Sequence, residues 1–333
     1  MTNESIKISV LITTYNLEAY IGQTLESVVT QEYEGGYEIL VGDDGSSDDT
    51  VKIINEYSVK YPGLIRVFIR EREEGVRYSK IERASLNRLM LLKEAKGEYI
   101  SFLDGDDFYT DKTRLKRLAD ILDDPENADC SMAAHNLNLY YEDGHTYPLC
   151  RAKKERKISV DEYWKLMFLQ SGALMFRNSD ISDINEGKLK YDYDDNLITF
   201  RQFLKGKMYY LPECMASYRQ IENSSWNSMD EAAHAYVNLI SMGMEKTVGP
   251  EYRKLINIRH YPDIRAAYKA RKTESMAKHD NVKRAKELGL EEAAALIEGS
   301  IKDTKYLSLL ITSGAGYYMA RAGRAINKLA GRY

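Results

Sequence analysis

The stretch Ile100–Asp111, ISFLDGDDFYTD, sets three carboxylates, Asp104, Asp106 and Asp107, within four positions directly after an apolar run. Carboxylates this close repel one another, and burying one without a partner is costly. Either the run ends in a solvated turn, or the charges hold a cation. The choice depends on what the rest of the chain brings to that strand end.

Working outward, EYISFLDGDD (98–107) has the form of a buried strand, and so does KISVLITTYN (7–16), a β-branched run closing in polar residues. LEAYIGQTLESVVTQEY (17–33) repeats apolar residues at helical spacing through Ile21, Leu25 and Val28. YEILVGDDGSSDD (37–49) reads as a strand entering an acidic turn, and TVKIINEYSVKYP (50–62) as a helix stopped by Pro62. GLIRVFIRE (63–71) is a further strand, and ERASLNRLMLLKEAKG (82–97) a helix ending at Gly97. Strands alternating with helices of this length imply right-handed crossovers and a mostly parallel sheet with helices on both faces. In such sheets ligands bind beyond the carboxyl ends of the strands. TTYN, DDGSSDD and DGDD all fall at those ends. Taken singly, DDGSSDD is also a helix-capping turn and DGDD a surface turn; together they describe a site.

Bulk properties exclude several classes. A chain of 333 residues can bury a full core, and the expected organisation is one large domain plus an appendage. A net charge of -4 gives no general case for nucleic-acid binding. Cys130, Cys150 and Cys214 are odd in number and lack zinc-ligand spacing, which fits reduced thiols in a cytoplasmic protein. MTNESIKISVLITTYN lacks the pattern of a secretory leader, so none is expected. No stretch reaches the roughly 20 apolar residues that span a bilayer. The five histidines, His135, His145, His234, His260 and His279, have no ligand spacing.

The blocks at 9–50, 95–111 and 191–219, in this order and spacing, resemble the family 2 glycosyltransferases of the GT-A fold. The resemblance implies a Rossmann-like α/β catalytic domain over 1–225, its nucleotide-sugar half about 1–110 and its acceptor half about 111–225. A helical region over 226–333 would follow it. It implies a nucleotide-sugar donor, with a UDP-sugar expected, and a divalent cation, Mg²⁺ or Mn²⁺, to neutralise the departing diphosphate. On the family pattern Asp104 contacts the ribose and Asp106 binds the metal, with Asp107 in support. Thr13 and Tyr15 line the nucleotide pocket, the Tyr15 ring against the base. Asp43 accepts a hydrogen bond from the base, Asp44 orients the loop, and Glu18 approaches the phosphates.

An inverting transferase also needs a base to take the acceptor proton. Asp194 and Asp195 stand before Leu197, Phe200 and Leu204, which share a helical face, so both fall at a helix N-terminus. Without the resemblance they read equally as an N-cap pair. With it, Asp195 matches the base, Asp194 is the fallback, and Asp192 is the weakest candidate. Two departures stand out. Relatives carry a His shortly after the YR motif, where this chain has Ile221. The donor-side loop between Gly75 and Asn87 is longer than usual, and Arg70, Arg72, Arg77 and Lys80 there either meet the diphosphate or form a solvated loop.

The expected acceptor is a surface polysaccharide or its lipid-linked precursor. A nucleotidyltransferase would need a glycine-rich, basic loop after the first strand, and TTYNLEAY is not one. A catalytically inactive relative that only binds a partner is the other alternative. Beyond about residue 230 helix formers dominate. The last segment places Met319, Ala322, Ile326, Leu329 and Tyr333 on one face beside Arg321, Arg324, Lys328 and Arg332. Such a helix either lies peripherally on an anionic membrane surface, here the inner face of the plasma membrane, or packs on protein, including a second subunit.

Overall fold

The computed structural model describes residues 6–71, 80–178, 194–221 and 228–329. They fall into two compact units, residues 1–158 with 169–221, and residues 159–168 with 222–333. The first unit is built on β1 (Ile8–Thr14), all seven residues of which are buried. An apolar run buried on both faces is what a central parallel strand requires. β1 pairs in parallel with β2 (Tyr37–Asp43) on one side and with β4 (Tyr99–Asp104) on the other, and β3 (Ile65–Ile69) extends the sheet beyond β2.

The helix α1 (Ile21–Val29) buries Ile21, Leu25 and Val28 at the expected spacing. It is shorter than the sequence pattern, because Leu17–Tyr20 forms a turn and the helix ends at a Thr30 cap. α2 (Thr50–Lys60) and α3 (Lys80–Glu94) complete the crossovers. The register sets Thr14 beside Asp43 and Thr13 beside Asp104, which brings the three polar strand ends to one edge.

Past β4 the sheet becomes mixed. The remaining strands are β5 (Phe108–Tyr109), β6 (Cys130–Tyr141), β7 (Thr146–Pro148), β8 (Arg156–Ile158), β9 (Leu174–Arg177) and β10 (Lys207–Gln220). The main path runs β3-β2-β1-β4-β9-β6-β10-β5, with β9 antiparallel to both β4 and β6, and β10 parallel to β6. α4 (Arg114–Asp123) buries Leu115, Leu118 and Leu122.

The second unit begins inside this sequence. α5 (Val160–Leu166) carries the fully buried Trp164. The Arg259 guanidinium lies 5.5 Å from the Trp164 ring and 5.3 Å from that of Phe168, and it donates to the Met167 carbonyl at 2.6 Å. Those contacts tie residues 159–168 to the helices that follow residue 228. A single boundary near residue 225 therefore misses this excursion. α6 (Asp195–Phe203) returns to the first unit. The second unit continues through α7 (Glu231–Ser241), α8 (Glu245–Val248), α9 (Arg253–Arg259), α10 (Tyr261–Ala270), α11 (Met276–Glu287), α12 (Glu291–Glu298) and α13 (Asp303–Leu329).

Candidate functional site

At the ends of β1 and β2 the polar side chains hold one another. Asn16 adopts a left-handed backbone, φ 51°, which Asn tolerates better than most residues. Its amide N–H donates to Ser46 Oγ at 2.8 Å, and its side-chain oxygen accepts from Ser47 N at 2.9 Å. Leu17 N donates to Thr50 Oγ1, and Glu18 accepts from Asp49 N at 2.8 Å. Glu18 thus holds the start of α2. Asp43 is fully buried and accepts from the amides of Gly45 and Ser46 and from the Ser46 hydroxyl, so its carboxylate closes its own turn. Asp44 accepts from Arg70 at 3.2 Å and Arg83 at 3.0 Å. The Tyr15 side chain stands 41% exposed above these turns.

At the end of β4 the arrangement differs. Asp104 accepts from Thr13 Oγ1 at 3.0 Å, from Arg88 Nη2 at 3.1 Å and from Gln170 Nε2 at 2.8 Å. Gly105 follows because the chain passes so close to β1 that a Cβ there would lie 2.9 Å from the Thr14 Cβ. Asp107 is buried, with Oδ1 accepting from Arg219 N at 2.8 Å and Oδ2 from Gln170 Nε2 at 3.1 Å. Burial and the two neighbouring carboxylates raise its proton affinity well above the usual range. Each of its oxygens thus accepts one hydrogen bond from the protein.

Asp106 is different again. Among the described residues no other residue donates a hydrogen bond to its carboxylate. Burial, then the charge of Asp104, push its pKa up to about 6. A half-buried carboxylate that no other described residue donates to is favoured by a nearby positive charge. Among the described residues no three His, Cys, Asp or Glu side chains form a metal cluster. A hard cation that keeps its waters and takes substrate phosphates needs only one or two protein carboxylates, and Asp106 fits that demand.

The candidate bases separate cleanly. Asp194 is the N-cap of α6, its Oδ1 accepting from Leu197 N at 2.8 Å. Asp195, the first residue of the helix, turns to the site: its Oδ1 accepts from Ser171 N at 3.2 Å and lies 3.7 Å from Arg88 Nη2. Burial raises the Asp195 pKa, Arg88 opposes the shift, and the Asp104 charge adds to it. Asp192, Arg72 and Arg77 lie outside the described residues, as does the Lys80 side chain. Ile221 ends β10's continuation, and residues 222–227 beyond it are likewise outside.

Three residues that motif reading passed over organise this edge. Arg88 bridges Asp104 and Asp195, and the pair of carboxylates in turn favours its charged form against burial. Gln170 spans Asp104 and Asp107, its orientation set by Gly172 N donating to its Oε1. Arg114, fully buried, donates to the Gly172 carbonyl at 2.9 Å and to His135 Nε2 at 2.7 Å. It fixes the short turn at residues 171–173 from behind. A single arginine within LNRLMLL looks like a solvated position, and a lone Gln in a loop carries no signal either.

This edge is that of a Rossmann-like sheet with a carboxylate pocket at its topological switch. The family model described as glycosyl transferase family 2 matches residues 9–184, more than half of the chain, and the protein belongs to that family. An uncharacterised protein of Mycobacterium tuberculosis is 31% identical over 225 residues, covering 66% of this chain and 60% of its own length. The chain therefore spans about 60% of the mycobacterial relatives it matches. The putative teichuronic acid biosynthesis glycosyltransferase TuaG of Bacillus subtilis is 28% identical over 236 residues, 70% of this chain and 86% of that protein. Among solved structures, S. aureus TarS 1-349 in complex with UDP-GlcNAc superposes with a TM-score of 0.62 at 18% identity, covering 98% of this chain and 93% of that one. The fold is GT-A, with helices appended after the catalytic sheet.

Proposed function

We propose that the protein transfers a sugar, with inversion, from a nucleotide diphosphate sugar to a hydroxyl of a surface polysaccharide or of its lipid-linked precursor. The observation that carries this reading is the division of labour at the end of β4. No other described residue donates a hydrogen bond to the Asp106 carboxylate, while Asp195 shares Arg88 with Asp104. In this reading Asp106 holds a divalent cation, Mg²⁺ or Mn²⁺, which when bound neutralises charge on the departing diphosphate. Asp104 meets the ribose, and Thr13 and Tyr15 line the base pocket. Asp195 accepts the proton of the acceptor hydroxyl as its oxygen bonds to the sugar carbon and the diphosphate leaves from the opposite face. Arg88 favours the ionised form of Asp195 and so opposes the rise in pKa that burial imposes.

UDP is the expected nucleotide, a choice supported by the UDP-GlcNAc bound to TarS. A mannosyltransferase from Pyrobaculum calidifontis with GDP-Man and Mn²⁺ shares the fold at a TM-score of 0.51 and 15% identity, so a guanine nucleotide belongs in any screen. The teichuronic acid name of TuaG and the poly(ribitol-phosphate) name of TarS support an anionic surface polymer as acceptor.

The test is thermal shift with UDP-GlcNAc, UDP-glucose and GDP-mannose, each with and without Mn²⁺, followed by assay of sugar release. A donor at 100 times its dissociation constant adds about 2.7 kcal/mol of stability. One nucleotide sugar should stabilise the protein in a Mn²⁺-dependent way and be turned over. Binding without turnover, with acceptor present, would mean a binding protein; no binding of any donor would sink the reading.

A further inference from the structure

The second unit ends in α13, 27 residues that extend about 40 Å at 1.5 Å per residue. One face packs inward. Tyr306 is fully buried, its hydroxyl donating to the Leu296 carbonyl and its ring 5.0 Å from that of Tyr268. Gly314 and Gly316 let the helix approach closely: a Cβ would lie 2.8 Å from the Tyr261 ring and 2.5 Å from Ile258, respectively. The Tyr317 ring packs 5.2 Å from Tyr261.

On the other side of the helix Leu307 is 46% exposed, Ile311 69% and Met319 73%, with Ala315 and Ala322 exposed between and beyond them. Tyr318, 56% exposed, sets its ring edge-on to that of Tyr261 at 5.6 Å, and the exposed Ser308 and Thr312 stand at the margin of the stripe, the Thr312 hydroxyl donating to the Ser308 carbonyl. No charged residue occurs from Tyr306 to Ala320, and the sequence continues the same spacing at Ala325, Ile326 and Leu329. A water-facing helix ordinarily puts its polar residues there. Beside the stripe the charge is of one sign. Residues 302–333 hold Lys302, Lys305, Arg321, Arg324, Lys328 and Arg332 against the single acid Asp303, in a chain of net charge -4. Lys305 pairs with Glu292 at 3.3 Å, whereas the exposed Arg321 has only the Tyr317 ring, 4.4 Å away, among the described residues.

We propose that this face of α13 docks the protein on an anionic lipid surface. The apolar stripe would enter the boundary between headgroups and acyl chains, and the flanking arginines and lysines would meet the headgroups. Charge selects this occupant over a second copy: apposing two such stripes sets Arg321 and its basic neighbours together, with no acid in the helix after Asp303 to offset them. The mode is peripheral, since among the described residues no helix is long and apolar enough to cross a membrane. This inference is independent of the sugar donor or acceptor.

Co-sedimentation of the full chain with phosphatidylglycerol-containing vesicles, and with pure phosphatidylcholine vesicles, tests it. The expected result is binding that requires the anionic lipid and weakens at high salt. The double variant Ile311→Glu, Met319→Glu should bind at least about tenfold more weakly, because it sets two charges against the apolar boundary. Both positions are exposed, so its melting midpoint should stay that of the parent. The parent's lipid and salt dependence tests the proposal whether or not the variant folds. Failure to bind phosphatidylglycerol vesicles overturns it, as does binding that the variant retains. A dimer by light scattering that the variant converts to monomer, with no vesicle binding, assigns the stripe to a second copy instead.

Discussion

The loops after β1 and β2 and the loop after β4 are both crowded with carboxylates, yet they are built to opposite ends. In the first, Asp43, Asp44 and Glu18 each accept hydrogen bonds from the surrounding turns or from Arg70 and Arg83. Those three carboxylates are satisfied by the protein itself. In the second, Asp104 and Asp107 are held by Thr13, Arg88, Gln170 and Arg219, and the Asp106 carboxylate between them accepts from no other described residue. Asp195 is held by one long amide hydrogen bond and by an arginine it shares with Asp104. On the proposed reading, therefore, acidic density does not mark the chemistry; carboxylates that neighbouring side chains leave incompletely satisfied do.

The most severe way to break this comparison is at Asp195. Asp195→Asn keeps the shape and the Ser171 contact but cannot take a proton, so transfer should fall by about 10²–10⁴-fold with donor affinity retained. Steady-state kinetics with donor titration checks it. If Asp194→Asn is the inactive variant instead, the roles of the two neighbours are reversed.

Next comes the contrast between Asp106 and Asp43. Asp106→Asn should abolish the Mn²⁺-dependent part of donor stabilisation, up to about 2.7 kcal/mol with donor at 100 times its dissociation constant, while leaving the unliganded fold as stable as before. It removes like-charge repulsion and costs no hydrogen bond to another described residue. Asp43→Asn should do the reverse. It forfeits acceptor capacity toward Gly45 and Ser46 and should lower the stability of the unliganded protein by about 1–3 kcal/mol. Denaturant melts of both variants, with and without donor and Mn²⁺, read the two effects separately. Equal losses in both would erase the distinction between the loops.

How much of this was legible beforehand follows from the type of residue involved. β1, β2 and β4 could be read because their apolar runs are bounded by polar clusters, and parallel pairing brings such ends to one edge whatever the loop details. Arg88 could not, because within LNRLMLL a single arginine has the look of a solvated position; its burial follows from two carboxylates that arrive from β4 and α6. Gln170 comes from a turn lacking periodicity, 66 residues along the chain from Asp104. The excursion at 159–168 was hidden for the same reason, since nothing in a seven-residue helix says which unit buries its tryptophan. Asp43 and Glu18 were legible as positions at this edge, but not their hydrogen bonds to the Gly45, Ser46 and Asp49 amides, because a turn carboxylate and a ligand carboxylate share one local sequence.

Arg88 sharpens the comparison through pH. Asp195 must be ionised to act, so activity is lost as pH falls through its pKa, which burial raises and Arg88 lowers. Removing that cation takes away the larger of the downward influences and leaves only the Ser171 hydrogen bonds to oppose burial and Asp104. Arg88→Gln should therefore move the acid limb of the rate profile to higher pH. A profile of kcat against pH for parent and variant measures the shift. A limb that stays in place, or moves down, would mean that Asp195 is not the titrating group.

The smallest expected effect separates the two adjacent aspartates by structure alone. Asp194 has the N-cap geometry, extended backbone with Oδ1 accepting from Leu197 N, and α6 buries Leu197, Ile198, Phe200 and Phe203 behind it. Asp194→Ala removes that cap and should cost about 1 kcal/mol of stability. Asp194→Ser, whose hydroxyl can accept the same amide, should recover most of the loss. Asp195 offers no cap, and its buried carboxylate resists ionisation, so Asp195→Asn should leave the denaturation midpoint unchanged or raise it. Urea melts of the three variants give the comparison directly. If Asp194→Ala left the midpoint unmoved while the serine variant behaved like the alanine one, the cap would be stabilising nothing, and Asp194 would again stand level with Asp195 as the base.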